Sequence, residues 1–239
     1  MATTTAPAKR RTRARDTTVF LKFLMATTGI VFIGYVLLHM YGNLKVFAGQ
    51  EAFDSYAHHL RTFGEPILPY GGMLWIIRIV LVASILGHLY AAFTLWSRAN
   101  GARSQRYAVK KAAKATLGSR TMRWGGVAIL VFVVWHLIHF TIVKPAINAD
   151  VSASAIAESP FTMMVASFQL WWMVAIYLLA MIALGLHLSH GTFSAQQTLG
   201  WTQTARGYQR ARTIGYVVAA VVVVGFALPP LAILFGIVG

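Results

Sequence analysis

The stretch Gly125–Ile142, GGVAILVFVVWHLIHFTI, carries no Asp, Glu, Lys or Arg, yet it holds two histidines, His136 and His139. About 20 apolar residues in α-helical form cross the hydrocarbon layer of a bilayer. An ionisable side chain inside such a span is costly and is a functional candidate by default. Working outward, the same pattern of apolar run plus histidine recurs. It predicts helices over about 19–47, 71–97, 122–145, 163–193 and 208–237. The expected fold is all-α, an integral membrane five-helix bundle. A basic, disordered tail is expected over 1–18, ahead of a transmembrane domain over 19–239.

Composition agrees. Of 239 residues, 57% are hydrophobic and 11% are charged, against roughly 25% charged in soluble domains. There is no cysteine, which removes disulfides, thiolate metal sites and cysteine-ligated clusters from this chain. Histidine is left as the candidate metal or haem ligand. A net charge of +15 would suit nucleic acid, but the charges sit in blocks between apolar runs, as topology signals do. Nucleic acid is therefore not an expected partner; the lipid bilayer is.

The charges also orient the chain. Lys9, Arg10, Arg11, Arg13, Arg15 and Lys22 lie in or next to the tail. Arg98, Arg103, Arg106, Lys110, Lys111, Lys114, Arg120 and Arg123 surround the second connection, and Arg206, Arg210 and Arg212 the fourth. Glu51, Asp54, Glu65, Asp150 and Glu158 fall in the first and third connections. The positive-inside rule places the N-terminus in the cytoplasm and the C-terminus outside, in a multi-pass protein of the cell's inner (plasma) membrane.

Eight histidines are present. His58 and His59 fall in the first connection and read as solvated residues. His39, His88, His136, His139, His187 and His190 lie inside the apolar helices. Alternate helices run in opposite directions, so His39 and His136 are expected in the outer half and His88 and His187 in the inner half. At 1.5 Å per residue the two levels are roughly 10–15 Å apart. Two bis-histidine haems, one above the other, would suit that arrangement, since imidazole is a common axial ligand. A degenerate repeat supports the pairing. The offset from His39 to His136 is 136 − 39 = 97 residues, and from His88 to His187 it is 187 − 88 = 99. Gly29 and Gly126 each precede a histidine by ten residues, and read either as room for a macrocycle or as ordinary helix-packing glycines. His139 and His190 lie three residues beyond proposed ligands, near the same helix faces, and spacing alone leaves both open as ligands or as partners of ligands. Arg78, within the second helix, reads either as a side chain reaching for the interface or as a contact to a haem propionate or quinone.

Several segments together resemble the single-chain di-haem cytochrome b anchor of succinate dehydrogenase and fumarate reductase. They are His39-Met40-Tyr41-Gly42-Asn43-Leu44-Lys45, Tyr56-Ala57-His58-His59-Leu60-Arg61, Ile85-Leu86-Gly87-His88-Leu89-Tyr90, Arg123-Trp124-Gly125-Gly126, Val134-Trp135-His136-Leu137 and Leu186-His187-Leu188-Ser189-His190-Gly191. The resemblance covers roughly residues 20–235. It implies His39, His88, His136 and His187 as the axial ligands of two haems b, and so selects His136 over His139 and His187 over His190. It also implies a succinate dehydrogenase flavoprotein with FAD, an iron–sulfur subunit, and quinone as the electron acceptor, with menaquinone expected. Catalysis is not expected from this chain alone. Glu65 and Arg61 are the quinone-site candidates. Two other readings stand beside this one: a cytochrome b anchor of a hydrogenase or formate dehydrogenase, and a histidine-lined proton or metal transporter.

Overall fold

A computed structural model describes residues 17–101 and 117–239. The tail and most of the second-connection cations, Arg103 to Lys114, lie outside the described residues. Within them all regular structure is helical: α1 (Thr18–Leu44), α2 (Gln50–Thr62), α3 (Gly72–Gly101), α4 (Leu117–Leu137), α5 (Ala153–Glu158), α6 (Pro160–Phe168), α7 (Trp171–Thr198) and α8 (Ala205–Leu234). Five of these, α1, α3, α4, α7 and α8, are long and apolar enough to cross a membrane. Large apolar side chains such as Leu38, Ile79, Val131 and Leu179 face outward from the bundle, which is stable only against lipid.

Local chemistry sets the helix starts. The Thr17 hydroxyl accepts from Phe20 N and opens α1. Thr204 does the same for α8 through Gly207 N, satisfying donors that a helix start leaves free. Helix α1 tightens into a 3₁₀ turn over Lys45–Ala48 before Gly49 redirects the chain. Helix α4 widens into a π turn over Ile138–Ile142 and stops short of Pro145. The expected end of that helix at 145 is therefore too late.

Two expectations need further correction. The fourth span begins at Trp171, not at 163, and runs to Thr198. Residues Pro160–Phe168 form the separate helix α6, and the chain turns at Leu170, which is extended (φ −86°, ψ 112°). Met163, Met164, Ala166, Ser167 and Phe168 are all buried in α6, so this segment closes one end of the bundle instead of prolonging α7. The first connection, read as a loop, contains the helix α2. Its Asp54 carboxylate accepts from Ser159 Oγ at 2.6 Å and from Phe161 N at 3.0 Å, placing a negative charge at the start of α6, where the helix dipole favours it.

Helix α7 is central and packs against α8, α4, α1 and α6. Its contact with α8 depends on glycine. A Cβ at Gly215 would stand 2.5 Å from the carbonyl oxygen of Ser189, and one at Gly185 would stand 2.7 Å from Val223. Such close backbone approach is how helices pack in lipid, where no hydrophobic force drives them together.

Candidate functional site

Four helices each bring one histidine to a facing pair. His39 of α1 meets His136 of α4 with ring centroids 5.8 Å apart and planes at 81°. His88 of α3 meets His187 of α7 at 6.3 Å and 56°. Two imidazoles bound to opposite sides of one metal have centroids roughly 6 Å apart, since each side contributes a bond of about 2 Å plus about half a ring. Both pairs match that spacing. The levels are well separated. His88 is held beside Thr28, eleven residues before His39 on α1, or about 16 Å along the helix.

The surroundings differ between the levels. At the His88 level, Thr28 Oγ1 donates to Leu24 O at 2.8 Å and lies 3.0 Å from His88 Nδ1. A hydroxyl has one proton; with that proton given to a carbonyl, Thr28 would accept from Nδ1–H and leave His88 Nε2 with its lone pair. His187 Nδ1 is buried with no hydrogen-bond partner among the described residues. The two repeat glycines both serve this level. A Cβ on Gly29 would lie 3.9 Å from His88 Cε1, and one on Gly126 would lie 3.5 Å from His187 Cε1. Each glycine thus faces the histidine of the neighbouring helix, not the one ten residues further along its own. A groove of about 370 Å³ between α4 and α7, lined by Trp124, Gly125, Ala128, Leu179 and Leu186, reaches His187.

At the other level, Tyr35 stacks on His39 (5.4 Å, 10°). Arg78 is exposed and lies over the Trp75 ring at 5.0 Å. His136 Nδ1 and His139 Nδ1 each lie 3.2 Å from the Tyr177 hydroxyl. His139 is fully buried, stacks on Trp135 at 5.7 Å, and has its Nε2 3.1 Å from Ser167 Oγ. It therefore has polar partners at both ring nitrogens. His190 lies about one turn beyond His187, and it is the His187 ring that faces His88. His58 and His59 are exposed on α2. Glu65 is exposed in the turn after α2, and the Arg61 guanidinium donates to Ala57 O of its own helix at 2.8 Å.

The succinate dehydrogenase/fumarate reductase transmembrane subunit family matches residues 94–228, more than half of the chain. The chain belongs to this family. It is also 27% identical over 197 residues to the succinate dehydrogenase cytochrome b558 subunit of Bacillus subtilis (strain 168), which spans 81% of this chain and 86% of that protein. No solved structure matches. This member of the transmembrane-subunit family is thus a multi-pass membrane protein, with its histidine pairs at two depths of the bundle.

Thr28, Ser167 and Tyr177 escaped the reading of the sequence. The available signal was a hydroxyl inside an apolar helix: Tyr177 stands ten residues before His187, and Thr28 one residue before Gly29. Neither spacing says which histidine on another helix the hydroxyl meets.

Proposed function

We propose that the chain is the membrane-anchor cytochrome b subunit of a succinate:quinone oxidoreductase, with His39 and His136 as the axial ligands of one haem b and His88 and His187 as those of a second. The observation that carries this reading is the pair of histidine couples, each at bis-imidazole spacing, at two levels along the same helices. The cytochrome b558 name of the Bacillus subtilis relative supports it. Haem supplies a one-electron couple whose potential responds to axial ligands, hydrogen bonding and burial.

The chain's own residues prepare those positions. Thr28 fixes the His88 ring so that Nε2 is the free nitrogen. Gly29 and Gly126 keep Cβ atoms away from the His88 and His187 imidazoles. Arg78, ten residues before His88 on α3, would offer a positive charge to a propionate. Glu65 and Arg61, at the same end of the bundle, are the quinone-side candidates, with menaquinone as the expected quinone. By the positive-inside rule the opposite end faces the cytoplasm, so the His88–His187 level lies nearer an iron–sulfur subunit docked there, which in turn carries the FAD-containing flavoprotein. Family membership favours this reading over a hydrogenase or formate dehydrogenase anchor and over a histidine-lined transporter.

A dithionite-reduced minus oxidised spectrum of the purified complex tests the proposal, together with haem content per subunit. Two b-type haems are expected. His88→Ala and His136→Ala should each lose one and keep the other. A haem-free complex refutes the ligand assignment, and retention of both haems in either variant refutes the pairing.

A further inference from the structure

The one fully buried histidine of the bundle, His139, is not paired with another imidazole across the bundle. It sits in a chain of polar groups with a defined direction. Ser167 Oγ donates to Met163 O at 2.7 Å. Its single proton is thereby used, so the contact of 3.1 Å with His139 Nε2 is one in which the ring N–H donates and Ser167 accepts. A charged imidazolium with no counter-charge is costly in this 0%-exposed position, and a neutral ring protonated at Nε2 has a bare Nδ1. That nitrogen accepts from the Tyr177 hydroxyl at 3.2 Å. With its proton so used, the Tyr177 oxygen is an acceptor for the second ring within 3.2 Å, the Nδ1–H of His136.

The π turn over Ile138–Ile142 contains His139 and begins two residues after His136, so the end of α4 and this turn present the two Nδ1 atoms to one hydroxyl. Widened turns of this kind occur often at functional sites. Phe132, Phe140 and Phe168 surround the Tyr177 ring with centroids 5.0–6.1 Å away, so the phenol is held in place by packing as well as by hydrogen bonds.

We infer that Tyr177 and His139 are positioning residues for His136: the chain Ser167–His139–Tyr177 sets the proton on His136 Nδ1, and with it the lone pair on Nε2 and the basicity of that nitrogen toward iron. The inference rests on the reading of His136 as a haem ligand. A metal-bound imidazole that donates its other N–H to an acceptor is oriented by it and becomes a stronger donor, which favours ferric over ferrous iron. At the other level His88 has Thr28 in this role, whereas His187 Nδ1 is buried and unpartnered among the described residues. The two levels are thereby tuned by different chemistry.

The test uses the intact complex with Tyr177→Phe and, separately, His139→Leu, read by redox titration of each haem and by haem content. Tyr177→Phe keeps the ring and its packing and deletes only the hydroxyl. The expected result is full haem content, an unchanged His88–His187 haem, and a shift of the His39–His136 haem toward the ferrous form of roughly threefold or more, about 30 mV upward for a one-electron couple. His139→Leu leaves the Tyr177 proton without its acceptor and free to turn toward His136 Nδ1, so the same haem should again be altered although His139 is no ligand. Full haem content with unchanged potentials in both variants overturns the inference and leaves the haem reading standing. Loss of one haem in His139→Leu, with Tyr177→Phe unaffected, makes His139 the ligand and overturns the inference together with the assignment of His136. If either variant fails to assemble, Ser167→Ala, which removes only the distal acceptor, must still shift the His39–His136 potential in the same direction; no shift there counts against the chain.

Discussion

Replacing Thr28 by valine exchanges a hydroxyl for a methyl at nearly constant volume and isolates the hydrogen bond to His88. Thr28 is 7% exposed, so no water is at hand to replace it. Two outcomes are open to the ring. If the proton stays on Nδ1, a part-buried N–H loses its Thr28 acceptor, at a cost of up to about 1–3 kcal/mol. If it moves to Nε2, that nitrogen loses the lone pair it would need as a metal ligand. On the proposed assignment of His88 and His187 as haem ligands, either outcome would make that level hold haem less tightly. At about 1.4 kcal/mol per tenfold the weakening is roughly five- to a hundredfold, in line with the 10- to 100-fold typical when the partner of a metal-bound histidine is removed. The assay is haem content and a redox titration of the purified complex, with Thr28→Ser as the control that keeps the hydroxyl. The His39–His136 haem should be unaffected, because Thr28 lies about 16 Å from His39 along α1. Full occupancy and an unshifted potential at the His88–His187 level in Thr28→Val would refute the claim that this hydroxyl orients the ring.

Two further substitutions test the frame. Gly215→Ala puts a Cβ 2.5 Å from the Ser189 carbonyl oxygen, a backbone atom that cannot swing aside, and should cost about 1–3 kcal/mol as overpacking; lower thermal stability in detergent is the readout, and Gly34→Ala, with nothing within 4 Å of the new Cβ, should be neutral. Asp54→Ala removes the acceptor of Ser159 Oγ and Phe161 N and should cost about 1–2 kcal/mol, in the range of a lost helix cap, without changing the haem spectrum; a changed spectrum would mean that the α2–α6 clamp reaches the histidines.

The parts of the site that were legible in the sequence follow from cost. A histidine in an apolar run stands out because lipid tolerates few ionisable groups, so His39, His88, His136 and His187 were visible one by one. Helix direction then sorted them by depth, and the 97- and 99-residue offsets tied them into pairs. His139 was visible by the same rule, but its place was not: residues three apart share a helix face, and only the position of Tyr177 on another helix shows that its Nδ1 shares a hydroxyl with His136. The break before Trp171 was hidden for a related reason. Hydropathy is continuous from Phe161 to Leu184, while the reason for the turn at Leu170 is the burial of Met163, Met164 and Phe168 against other helices. Gly29 and Gly126 stand out in the sequence as a repeat, but the imidazoles they accommodate belong to α3 and α7.

Sequence alone determined the solvent this chain folds in, the number of spans, and the presence of histidines at two depths. Those properties depend on the chain's transfer into lipid and on helical rise, and both are sums over local residues. Tertiary structure alone decided which nitrogen of each imidazole has a partner, which glycine faces which ring, and where α6 leaves the path of α7. Those are contacts between residues far apart in the chain. They depend on helix rotation and on approach to within a few tenths of an ångström, and a one-dimensional pattern does not encode either.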